Sequence, residues 1–129
     1  MKYAAAVLLI GTLAAPGTCF AAPEKLIPDQ PTGIDGVTAV CTGSSLDART
    51  DPKWRDYSVR LEFADKEGQY LGDDLVRVMG EGKDFALSCP GPWVLMQLPA
   101  GSYKVTANIP GKRNKEFTLR APTHVVMHF

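Results

Sequence analysis

The sequence predicts an all-β chain, folded as an antiparallel β-sandwich of about seven or eight strands. Apolar and polar residues alternate with a period of two along most of its length, the pattern of strands with one buried face. Glycine, proline and aspartate recur between these runs at intervals that suit short strands joined by tight turns. Helical periodicity is almost absent.

The clearest stretch is Trp93 to Ile109. Val94, Met96 and Leu98 fall on one face of a first run. Tyr103, Val105, Ala107 and Ile109 fall on one face of a second. Between them, Pro99 fixes φ and Gly101 supplies turn freedom, so the chain reverses. The same reading places strands at 37–42, 57–64, 70–79, 84–89, 93–98, 102–109, 115–120 and 124–129. In the second of these Tyr57, Val59, Leu61 and Phe63 face inward. Gly72-Asp73-Asp74 interrupts the third, as a bulge or kink with both carboxylates in solvent. Asp65–Gly68, Glu81-Gly82 and Pro110–Arg113 are turns. One helical turn is expected at Asp51–Arg55, with Asp51 as cap and Pro52 at the first helical position.

The first 21 residues read as a bacterial Sec-type export signal. Lys2 supplies the positive start, Ala4–Ala15 is a short apolar run, and Cys19-Phe20-Ala21 offers small residues at a cleavage site. The apolar run is too short to span a bilayer comfortably, so no transmembrane segment is expected after cleavage. Residues 22–35, with three prolines and little pattern, read as a flexible N-terminal lead. Residues 36–129 form the β-sandwich domain. A periplasmic or secreted location follows, and it gives the cysteines their meaning. With Cys19 removed, Cys41 and Cys89 remain, each following apolar residues at period two. An even count in an oxidising compartment reads as one disulfide.

The run Leu98-Pro99-Ala100-Gly101-Ser102-Tyr103-Lys104-Val105, preceded by an apolar strand and followed by Gly111 and Phe117-Thr118-Leu119, resembles the carboxypeptidase regulatory-like domain. The resemblance covers roughly residues 57–129 and implies a transthyretin-like sandwich, in a family that is mostly a non-catalytic accessory module. With its export signal the chain resembles a small exported bacterial protein. Residues 43–57 depart from the family pattern, being long and polar where a short connection is usual.

Lys plus Arg and Asp plus Glu are balanced at 14 each. No basic stripe is present, so nucleic acid is not an expected partner. No serine sits in Gly-x-Ser-x-Gly. Asp47, Asp51 and Asp56 lack the spacing of a calcium loop. No catalytic residue, cofactor or metal is therefore expected. The expected function is a non-catalytic module that binds a protein or glycan of the cell envelope. Its contact surface is placed on Lys53, Trp54, Arg55 and Asp56, with Trp93. An alternative is a small metal-dependent enzyme or metal-binding protein using His124 and His128. These lie four apart on an outward strand face, ~13 Å from one another, too far to share one ion without other donors. A third reading is an inhibitor of a secreted hydrolase.

Overall fold

The alternating runs form strands, and two shorter strands precede them. The computed structural model describes residues 22–129; the export signal expected over residues 1–21 lies outside the described residues. In chain order the strands are β1 (Glu24–Lys25), β2 (Thr32–Ile34), β3 (Val37–Thr42), β4 (Val59–Ala64), β5 (Asp74–Gly80), β6 (Lys83–Cys89), β7 (Trp93–Met96), β8 (Gly101–Asn108), β9 (Lys115–Ala121) and β10 (Thr123–His128). A short helix, α1 (Leu46–Thr50), and a 3-10 turn (Pro52–Trp54) lie between β3 and β4. The strands build two five-stranded sheets, ordered β1-β6-β5-β8-β9 and β10-β4-β7-β3-β2.

Both sheets are mixed, which corrects the expectation of a wholly antiparallel fold. β1 runs parallel to β6, and β10 parallel to β4. The other neighbours are antiparallel. A period of two fixes which face of a strand is buried; it carries no information on the direction of the partner. Parallel neighbours need a long connection. β10 has one, because it crosses from β9 in one sheet to β4 in the other.

The inward faces of the two sheets share one apolar core. Val76, Val78, Phe85, Leu87, Tyr103, Val105 and Leu119 come from the first sheet. Val37, Ala39, Val59, Leu61, Phe63, Val94 and Met96 come from the second. The result is a sandwich-like pair of layers. Cys41 on β3 and Cys89 on β6 form the expected disulfide, with Cα atoms 5.4 Å apart, and so join one sheet to the other. Tyr103 is buried, and its hydroxyl donates to the Pro99 carbonyl at 2.6 Å, tying the Leu98–Gly101 reversal to the strand that follows.

Three expectations change. Residues 22–35, read as a flexible lead, carry β1 and β2. Leu26 is buried in the core, its N–H donates to the Ser88 carbonyl, and Asp29 N–H donates to the Cys41 carbonyl. Asp35-Gly36, both at positive φ, closes the β2–β3 hairpin, just as Glu81-Gly82 closes β5–β6. The run expected over 70–79 becomes a strand only at Asp74. Asp73 sits at φ 59°, which breaks the ladder, and Tyr70 makes an isolated bridge to Ala64. Tyr57 stands before β4 and packs in a second apolar cluster, on the outer face of β3, β4 and β7.

Candidate functional site

That outer face is where the polar segment 43–57 settles, and its sequence explains how. Gly43 adopts φ 91°, and a Cβ there would lie 2.6 Å from Trp93 Cγ, so only glycine lets the backbone pass this close. Ser45 caps α1, its hydroxyl accepting from the Ala48 N–H at 3.1 Å. Asp51 caps the 3-10 turn in the same manner, accepting from the Lys53 N–H at 3.0 Å. The expected helical turn at Asp51 and Pro52 is thus present; α1 before it was not foreseen. The far end is pinned by Gln97 Nε2 donating to the Asp56 carbonyl and by Leu98 N–H donating to Ser58 Oγ.

The turn delivers Trp54 downward. Trp54, Trp93, Val40 and Leu95 form the second buried cluster, with Tyr57 against it. Trp54 is 8% exposed and Trp93 5%, so both pack beneath the segment and do not stand out from it. A covered sheet face has room for large apolar side chains that an open face would leave in water. Lys53, Arg55 and Asp56 are exposed, as expected. Lys53 Nζ lies 4.8 Å from the Trp54 ring centroid and 3.5 Å from Asp51 Oδ2.

Beside the turn opens a cleft of about 270 Å3, lined by Arg49, Thr50, Asp51, Trp54, Arg55, Arg60 and Trp93. Arg60 lies over the Trp93 ring, its Cζ 4.5 Å from the centroid. Its Nε is 2.9 Å from Glu62 Oε2, a paired charge whose N–H is not aimed at that oxygen. Tyr70 hydroxyl donates to the other Glu62 oxygen at 3.0 Å. Arg49 lies over the Tyr70 ring and donates to the Gly43 carbonyl at 2.8 Å. Both indole N–H groups, on Trp54 and Trp93, are buried without an acceptor. On its other flank the segment lines a second cleft of about 220 Å3 with Asp29, Asp47, Asp51 and Lys53. The arginines line the first cleft, Asp29, Asp47 and Lys53 the second, and Asp51 both. Arg49 and Arg60 were not singled out from the sequence. Alternation with Val59 and Leu61 sets Arg60 outward, but its position beside Trp93 depends on the β4–β7 pairing.

Two other places could carry chemistry. His124 and His128 are exposed on β10, with exposed Val126 between them. Among the described residues, no group of three or more His, Cys, Asp or Glu stands close enough to hold a metal ion. Asp74 was expected in solvent and is instead fully buried. It shares the inward face of β5 with Val76 and Val78 and stands opposite Cys89. Neither carboxylate oxygen has a hydrogen-bond partner. Burial, and secondarily the neighbouring Asp73, raises its pKa from 3.8 to about 8. The cleft around it is lined by Asp73, Leu75, Ser88, Cys89 and Pro90, with no histidine beside the serine. None of the described helices is long and apolar enough to cross a membrane. No protein-family model matches this chain, and no curated protein matches it in sequence.

Proposed function

We propose that this chain is an exported, non-catalytic β-sandwich module of the transthyretin-like, carboxypeptidase regulatory-like type, which binds a protein or glycan of the cell envelope through the 43–57 segment and the cleft beside it. The observation that carries the reading is the construction of that segment. Two caps, a glycine that only glycine can replace and two buried tryptophans hold a polar excursion on one sheet face. A merely connecting loop from β3 across β7 to β4 needs neither the caps nor the buried tryptophans. The disulfide fits an oxidising compartment. The Leu98–Val105 motif supports the fold type.

The test is retention by a washed cell-envelope fraction, using purified residues 22–129. Wild type is expected to be retained. A variant carrying Lys53→Glu, Arg55→Glu and Asp56→Lys is expected to be lost from the pellet while keeping its circular dichroism spectrum. Equal retention of the two forms would remove the 43–57 segment from the contact surface.

A further inference from the structure

We infer that the arginine-lined cleft is a binding site for one acidic sugar unit, its carboxylate facing the guanidinium groups and its hydroxyls the polar rim. This rests on the binding role just proposed and names its ligand class. The lining is rich in donors. Arg49, Arg55 and Arg60 bring three permanent positive charges, against the carboxylates of Asp51 in the lining and of Glu62 paired with Arg60. Asp47 lines the second cleft instead, so the neutral balance of the sequence conceals a local excess of positive charge. Of the three arginines, Arg55 is exposed; its backbone N–H donates to the Pro52 carbonyl, and its guanidinium has no ion pair, hydrogen bond or ring contact among the described residues. Arg49 spends one N–H on the Gly43 carbonyl and keeps the others of its five.

The walls point the same way. Trp54 and Trp93 are more than nine-tenths buried, and each carries an indole N–H without an acceptor. A buried unsatisfied donor costs roughly 1–3 kcal/mol. Both tryptophans line the one cationic cleft, so their enclosed indole N–H groups report on an anion seated beside them. At about 270 Å3 the cleft lies just under the range of pockets for drug-sized molecules, which suits one ring rather than a chain. Asp51 and Thr50 then select among anions. Asp51 accepts from the Lys53 N–H and lies beside Lys53 Nζ, yet a carboxylate has about four acceptor sites. Thr50 donates to the Leu46 carbonyl and its oxygen can still accept. Sugar hydroxyls are donors for both. An acidic protein side chain brings the carboxylate without the hydroxyls.

The experiment is nuclear magnetic resonance of 15N-labelled residues 22–129, following the two indole N–H signals. The probes are sodium glucuronate, glucose and the amide of N-acetylglutamate. Glucuronate is expected to move both indole signals saturably. Glucose should leave them in place, and the glutamate derivative should bind more weakly. Arg55→Gln, at an exposed side chain, should weaken glucuronate about tenfold, the loss of one charge-assisted contact. Lys112→Gln, on a remote exposed turn, should leave it unchanged. Indole signals unmoved by glucuronate, or moved equally by glucose, would overturn the proposal. Binding of the glutamate derivative as tight as that of glucuronate would overturn the sugar assignment, as would an Arg55→Gln titration equal to wild type. A chain retained by envelope material yet blind to glucuronate loses this inference alone. A chain that binds glucuronate but no envelope material loses the parent reading.

Discussion

Asp73 and Asp74 show how much depends on a single residue's direction. From sequence the pair reads as two solvated carboxylates at a bend, and for Asp73 the bend is real, with φ at 59°. The following peptide re-enters the ladder, and the pleat turns Asp74 toward the core instead of solvent. No local signal distinguishes the two, because the choice is one of register. The consequence is a proton-linked stability. The unfolded chain releases this proton near pH 3.8; the folded chain holds it to about pH 8. Across that window the folded form binds the extra proton, so its stability is greatest below the window and declines as pH rises through it, by at most ~1.4 kcal/mol per pH unit. Asp74→Asn keeps the shape and stays neutral. Urea unfolding at pH 5 and pH 8 should show a clear fall for wild type and a smaller one for Asp74→Asn, which should be the more stable of the two at pH 8. Equal falls in both proteins would mean that Asp74 is ionised in the folded state at neutral pH.

At the level of elements, the sequence was most legible where a strand had one buried face and a defined turn. Residues 93–109 and the Glu81-Gly82 hairpin come out as the alternation and the turn residues predict. Asp35-Gly36 is an equally strong hairpin signal between Ile34 and Val37, but the prolines before it mask β2. The 43–57 segment departs visibly from the pattern around it, and Asp51-Pro52 marks a helical start, but the run itself does not show which way Trp54 turns. Polar neighbours on both sides suggest an exposed turn; only the position of Trp93 and Leu95 on the far face of β7 reveals what lies beneath it. The segment should therefore behave as a lid on that face. Trp54→Ala should cost about 3 kcal/mol in unfolding free energy, the lower end for deleting a large buried aromatic. Gly43→Ala should also destabilise, through both its φ and the closeness of Trp93. Either change should quicken hydrogen exchange at residues 44–57 more than at β5 and β8. Uniform quickening would show that the segment and the sheets unfold as one unit.

Over the whole molecule, the even cysteine count and the inward period of both residues made the 41–89 bond legible before any partner strand was known. The two sheets were implied by the same alternation, while the parallel ends, β1 on β6 and β10 on β4, were not, because pattern sets faces and not partners. The bond's position gives it a larger part than closing a loop. It ties β3 to β6, hence one layer to the other, at the end of the sandwich where Asp74 lies and where Gly91 N–H approaches Cys41 Sγ at 3.2 Å. With its ends 48 positions apart in sequence, chain entropy alone assigns it about 4 kcal/mol. For a chain near one hundred residues that is a large share of a typical net stability of ~5–15 kcal/mol. The variant carrying Cys41→Ala and Cys89→Ala should accordingly unfold at much lower urea. Its far-ultraviolet spectrum in buffer should remain that of a β protein, since the core contacts of Val76, Val78, Leu61 and Val94 do not involve sulfur. The same loss should appear in wild type on adding a reductant and nothing further in the double variant. A double variant as stable as the oxidised chain would show that the two layers are held by their shared apolar core alone.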